Sequence, residues 1–349
     1  MNLINHIEEV GHSFIELQDK IVYISKYGDC DIFNVHGEKL NSIDGNFAKL
    51  DCYSPYEFYL GFDFQSKIVN IEDKVIIDYP FMIQDCDKLR NLCSYRKEGK
   101  RYFASVLKSG QIEWERQIKT GKFIKLFKRN FLNSKYLTDS FIGLYSCLTG
   151  DELWTFDTTT LGIWIDYDKT EKTTEVQRVL GELDDKLYIY LNNGKILILN
   201  LLTGDKIDLL ENDKNTDQGS FKGRFMSAIQ LDKKYSKLIQ LFNQRYTEVD
   251  IQNKTVSQIH IEDMIRNNLT NMNGFVFDDD LIYFSDRNEC KVATLNRKTM
   301  QIDWVHTFYE NESCEIGGNR FGRDLKLSGH RLYVLDNKHT LHVFEKENA

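Results

Sequence analysis

Hydrophobic and polar residues alternate along this chain in short apolar runs, rich in β-branched and aromatic residues and broken by Gly, Asn and Asp. That texture predicts strands and turns rather than helices. Leu187-Tyr188-Ile189-Tyr190 and Lys195-Ile196-Leu197-Ile198-Leu199, joined through Asn192-Asn193-Gly194, predict a hairpin. Similar pairs are Ile21–Ser25 with Asp31–Val35, Leu281–Phe284 with Val292–Leu295, and Leu332–Leu335 with Leu341–Phe344. The most informative stretch is FIGLYSCLTGDELWTF, Phe141 to Phe156, two strands around the turn Thr149-Gly150. Gly150 suits a turn that needs positive φ. The same phrase ends on Trp114 after Ser109-Gly110 and on Trp304 after Thr299-Met300, and a further copy, Leu199–Gly204, puts Asp208 in the Trp position. A large ring recurring in register predicts that each Trp packs between neighbouring copies of one unit.

The turn between third and fourth strands recurs near Gly37, Asp73, Gly110, Gly150, Gly204, Lys254 and Met300, at intervals of about 36 to 54 residues. This is the period of four-stranded propeller blades. The predicted fold is therefore all-β, a single closed β-propeller over residues 1–349, with eight blades favoured, or seven if the irregular second unit is not counted. The last unit lacks an outer strand, which Leu3-Ile4-Asn5-His6-Ile7 would supply, removing an exposed sheet edge. Long connections follow outer strands at Phe156–Val176, Glu211–Phe225, Glu262–Gly274, where a short helix is expected, and Tyr309–Arg323. In propellers such loops share a face, and loops on a rigid scaffold commonly carry function.

Leu-Asn-x-x-Thr-Gly at Leu199–Gly204, Leu295-Asn296-Arg297-Lys298-Thr299 and Thr-Gly-x-x-x-Trp at Thr149–Trp154 resemble the repeats of quinoprotein-type (PQQ-like) β-propellers. The resemblance implies the propeller. It brings a second functional reading, a quinone-dependent dehydrogenase, because some members hold the quinone with calcium at the propeller centre. Those members are usually longer and exported, so no cofactor is expected here; an absorbance scan with added quinone and calcium separates the two readings.

With 45 Lys and Arg against 53 Asp and Glu, the net charge is −8, which disfavours nucleic acid and favours a cationic partner. No basic segment with an apolar core opens the sequence and no run of about 18 apolar residues occurs, so a cytoplasmic protein without membrane insertion, monomeric by itself, is expected. The 7 cysteines are scattered without a C-x-x-C pair, as expected of reduced thiols and not of a zinc site. Asp166-Tyr167-Asp168 and Asp278-Asp279-Asp280 read as solvated turns rather than cation loops, and His339 and His342 as structural histidines. Gly317-Gly318-Asn319-Arg320 lacks dinucleotide-binding spacing, and there is no nucleophile elbow, H-E-x-x-H or P-loop.

These exclusions leave a non-catalytic protein-interaction module. Trp164, Tyr167 and Tyr309 are its expected aromatic anchors, Asp166, Asp168, Glu310 and Glu312 its acidic rim, and Arg320 and Arg323 its bidentate contacts. For Trp164 the competing expectation is a cap on the end of a blade. Two roles remain open, a scaffold and an immunity protein that neutralises a cationic toxin.

Overall fold

The computed structural model describes residues 1–72, 76–86, 89–117, 123–127, 130–134, 140–214, 222–270, 274–286, 290–308, 325–336 and 338–346. Within them the chain forms eight four-stranded sheets and one two-stranded sheet, with a single α-helical turn at Glu262–Arg266 where the short helix was expected. The sheets are the eight predicted blades: 10–43, 49–79, 82–117, 123–157, 176–210, 230–260, 275–307, and 325–345 together with Asn2–Ile7. The irregular second unit is a full blade. Each of the first seven blades is four strands in sequence order, and the eighth takes its outer strand from the start of the chain. There Leu3 lies opposite Phe344, Asn5 opposite Val343 and Ile7 opposite Leu341.

The contacts divide the chain into two compact units. The first comprises 1–79, 241–246 and 259–349, the second 80–240 and 247–258. In the first unit one apolar cluster joins Val22, Ile32, Leu50, Phe58 and Leu60 from blades 1 and 2, and another joins Ile21, Tyr23, Tyr333 and Leu341 from blades 1 and 8. In the second unit Leu144, Trp154, Leu187, Ile189 and Leu199 bind blade 4 to blade 5, and Tyr188, Ile198, Phe225, Leu238 and Val249 bind blade 5 to blade 6. The second strands are almost wholly buried because sheets cover both their faces, which explains their unbroken apolar runs.

The repeated Trp works through the next blade's turn. Trp114 Nε1 donates to the Cys147 carbonyl at 2.7 Å, and its ring lies against Gly150; Trp154 Nε1 donates to the Leu201 carbonyl at 2.9 Å, and its ring lies against Gly204. A Cβ at Gly150 or Gly204 would come within 2.8 or 2.6 Å of those rings, and the turns carry φ of 68° and 75°. Glycine is thus required by both space and backbone. In blade 5 the same position holds Asp208, which pairs with Lys254 of blade 6's turn at 2.5 Å, and in blade 8 it holds Asn5, packed on Gly37. Trp304 of blade 7 instead meets Phe344 of blade 8 edge-on, ring centres 5.2 Å apart. A register shift adjoins Trp114, Trp154, Asp208, Trp304 and Asn5 alike, so a bulge aims each of these side chains at its neighbour.

Candidate functional site

Between the outer strand of blade 4 and the inner strand of blade 5 the second unit carries an addition to the repeat. A short turn of 3-10 helix, Thr158–Leu161, leads into a hairpin of Ile163–Ile165 and Glu171–Thr173. Asp157 caps the turn, its carboxylate accepting from the Thr159 amide at 2.8 Å, and buried Thr158 lies 2.9 and 2.7 Å from the Ser140 and Thr174 carbonyls.

The hairpin stands on blade 5's Asn192-Asn193-Gly194 turn. Asn192 Oδ1 accepts from Trp164 Nε1 at 3.2 Å and from the Glu175 amide at 3.0 Å, while its Nδ2 donates to the Thr173 carbonyl at 3.0 Å. On the same side Arg224 places its guanidinium 4.6 Å from the Trp164 ring centre and donates to the Ile165 carbonyl at 2.9 Å. Asp166 is buried and pairs with Lys172, which holds its carboxyl below the ordinary range, and it also accepts from the Tyr167 amide at 2.8 Å. Asp168 accepts from the Thr170 hydroxyl and amide at 2.5 and 2.9 Å, contacts that lower its pKa in the same direction. The two carboxylates therefore build the hairpin turn. Among the described residues no group of three or more His, Cys, Asp or Glu is arranged to hold a metal ion.

Alternation sends the other side chains outward. Trp164 and Asp166 face the scaffold, whereas Ile163, Ile165 and Tyr167 are 67, 61 and 74% exposed. Tyr27, Leu89 and Leu202 are comparably open, but among the described residues none of them alternates along a strand with further exposed large apolar residues as Ile163, Ile165 and Tyr167 do. Glu171 and Thr173 lie across from Ile165 and Ile163 and bring polar groups to the same small sheet. Of the residues singled out in the sequence, the structure brings Trp164, Asp166, Tyr167 and Asp168 together on this hairpin. Trp164 is half-buried beneath it and only Tyr167 is widely open among the aromatics there. Tyr309, Glu310, Glu312, Arg320 and Arg323 lie outside the described residues. Ile163 and Ile165 went unrecognised in the sequence, although the alternation Ile-Trp-Ile-Asp-Tyr carries the signal.

The structural histidines are placed as expected: His342 Nε2 lies 2.9 Å from the buried Asp336 carboxylate, and His339 Nδ1 lies 2.9 Å from the Val10 carbonyl. Asp278 organises its turn, accepting from the Leu281 amide at 2.9 Å and from the Tyr283 hydroxyl at 2.8 Å. No helix among the described residues is long and apolar enough to cross a membrane.

No protein-family model matches the sequence, and no curated protein matches it. Solved structures do. The chain is similar to BamB from Moraxella catarrhalis, with 11% identity, a TM-score of 0.62, and 99% of each chain covered. It is similar to the C-terminal WD40 domain of Sif2, with 10% identity, a TM-score of 0.64, and 99% of this chain and 98% of that one covered. Similarity to Sqt1 of Saccharomyces cerevisiae is of the same order, with 12% identity, a TM-score of 0.61, and 98% and 97% covered. At these identities the likeness is one of fold, a β-propeller.

Proposed function

We propose that the protein is a non-catalytic interaction module that docks a partner protein on the outward face of the 163–173 hairpin. The observation that carries this reading is the contiguous row Ile163, Ile165 and Tyr167, held open on a hairpin whose other face is fastened by Asn192 and Arg224. Fastening matters because a surface already ordered loses little conformational entropy on binding. The net charge of −8 supports a cationic partner. In this reading the protein acts as a cytoplasmic monomer, either as a scaffold or as an immunity protein whose acidic surface covers a cationic toxin.

Affinity capture from cells that make the protein supplies the partner. Truncating Ile165 and Tyr167 to alanine together is expected to weaken that complex about thirtyfold or more, the ~2 kcal/mol typical of a hot spot, without changing the melting temperature. Tyr27→Ala is the control for an exposed aromatic elsewhere. Capture of no partner, or unchanged affinity in the double variant, overturns the reading. A captured protein that arrests growth when made alone marks the immunity role; one that does not marks the scaffold.

A further inference from the structure

Residues 96–135 hold 12 Lys and Arg against 3 Glu, in a chain whose net charge is −8. Four of those cations share the tip of one hairpin, made by the second and third strands of blade 3, Arg90–Lys97 and Lys100–Leu107. The hairpin closes through Glu98 and Gly99, whose φ of 53° and 72° mark a tight two-residue turn. Arg96 lies directly opposite Arg101 and Lys97 directly opposite Lys100, and all four are exposed. Alternation puts the Arg pair on one face of the hairpin and the Lys pair on the other. The blade's inner strand begins its pairing with Met82 opposite Ser94, and its outer strand ends with Gln117 opposite Tyr102, so 96–101 project past the described parts of both. The base of this prong is stiff. Tyr95 and Tyr102 stack with ring centres 5.6 Å apart, Phe81 meets Tyr95 edge-on at 4.9 Å, and the Tyr95 hydroxyl donates to Glu115.

Like charges directly opposite each other on a hairpin destabilise it. Lys97 pairs with Glu115 at 3.3 Å and Glu98 stands in the turn, yet with that pair made the four cations still outnumber the two carboxylates. A local rule broken twice at one tip marks a place shaped by binding rather than by folding. We propose that the 96–101 prong is a second docking site, independent of the 163–173 hairpin, for an acidic segment of a partner protein, a short run of Asp and Glu laid across the tip. Carboxylates meet the Arg96 and Arg101 guanidinium groups on one face and the Lys97 and Lys100 ammonium groups on the other. An extended segment suits cations that face both ways, because it can wrap the prong. A phosphate polymer would run on over the acidic remainder of the protein, and the tip has no apolar side chain to enter a bilayer.

Fluorescence anisotropy of a labelled octaglutamate peptide with the full chain tests this, alongside octaglutamine, a short oligothymidylate, and vesicles of phosphatidylcholine with phosphatidylserine. Octaglutamate is expected to bind saturably and octaglutamine not at all, with the affinity falling about tenfold as salt rises from about 50 to about 200 mM. Arg96→Gln together with Arg101→Gln should weaken octaglutamate about tenfold. Lys233→Gln together with Lys234→Gln, at exposed lysines of blade 6, should leave it unchanged. Carbodiimide coupling of the peptide to the unaltered protein, mapped by mass spectrometry, should join it to Lys97 or Lys100 in preference to other lysines, and this arm decides the matter even if a variant fails to fold. Absence of saturable octaglutamate binding overturns the proposal, as do equal binding of octaglutamine, unchanged affinity in the Arg variant, or coupling spread evenly over the lysines. Tighter binding of oligothymidylate or of the vesicles also overturns it and assigns the prong to nucleic acid or to a lipid surface.

Discussion

A single residue type accounts for much of the order in this fold. Trp154 is 7% exposed, hydrogen-bonded to the Leu201 carbonyl and pressed on Gly204, so it ties the outer strand of blade 4 to the turn of blade 5. Trp154→Ala is expected to cost roughly 3–5 kcal/mol, the loss of a buried aromatic plus the cavity left behind. Thermal unfolding of the variant reads this directly, and a melting temperature equal to that of the parent refutes the packing role. That each Trp packs between neighbouring copies was legible because the ring keeps its place after the turn of its own copy; that it lands on the next blade's glycine was not, because Trp114–Gly150 and Trp154–Gly204 are unequally far apart along the chain. Asn5 on Gly37 was not, since an asparagine in a strand carries no comparable mark.

At the scale of the element, the polar version of the same contact has its own pH dependence. The Asp208 carboxyl is held below its ordinary 3.8 by the hydrogen bond from Lys254, against the opposing effect of burial. A carboxyl whose pKa is lowered by folding stabilises the folded state fully above 3.8 and loses that contribution as pH falls through the lowered value. Asp208→Asn should therefore cost up to about 1 kcal/mol at neutral pH, as befits a partly exposed pair, with the gap to the parent closing in strong acid. Urea unfolding of both proteins at the two pH extremes checks this; a gap independent of pH would assign the effect to packing. Elements also mark where the sequence was readable. Second and third strands were evident as apolar runs, but inner strands such as Gln230–Asp232 and Phe275–Phe277 have three residues each and too little pattern to declare themselves. The 163–173 hairpin was hidden for a related reason. Its strands are equally short, and its anchor, Asn192, lies in a turn already explained by its own hairpin. Acidic residues drew attention as a rim, whereas Asp166 and Asp168 are used in turn chemistry and the exposed row is apolar.

For the whole molecule the decisive pairing is that of Asn2–Ile7 with Leu341–Glu345. Deleting residues 1–9 would leave the Leu341–Glu345 edge bare and uncover Val343 and Phe344, both now fully buried, so the truncated protein should melt markedly earlier or aggregate. Hydrogen exchange should show protection lost in blade 1 as well as blade 8, because Tyr23 and Ile21 pack in one cluster with Ile7, Leu341 and Val343. Loss confined to blade 8 would refute closure through this strand. The same pairing sets a timetable. On the ribosome Asn2–Ile7 emerges before all eight blades and its partner Leu341–Glu345 only after the other seven, so the strand waits unpaired while the blades between can form from local hairpins. Its mixed composition, with Asn2, Asn5 and His6 among Leu3, Ile4 and Ile7, makes that wait safer, since a wholly apolar strand held open so long would seek partners in other chains.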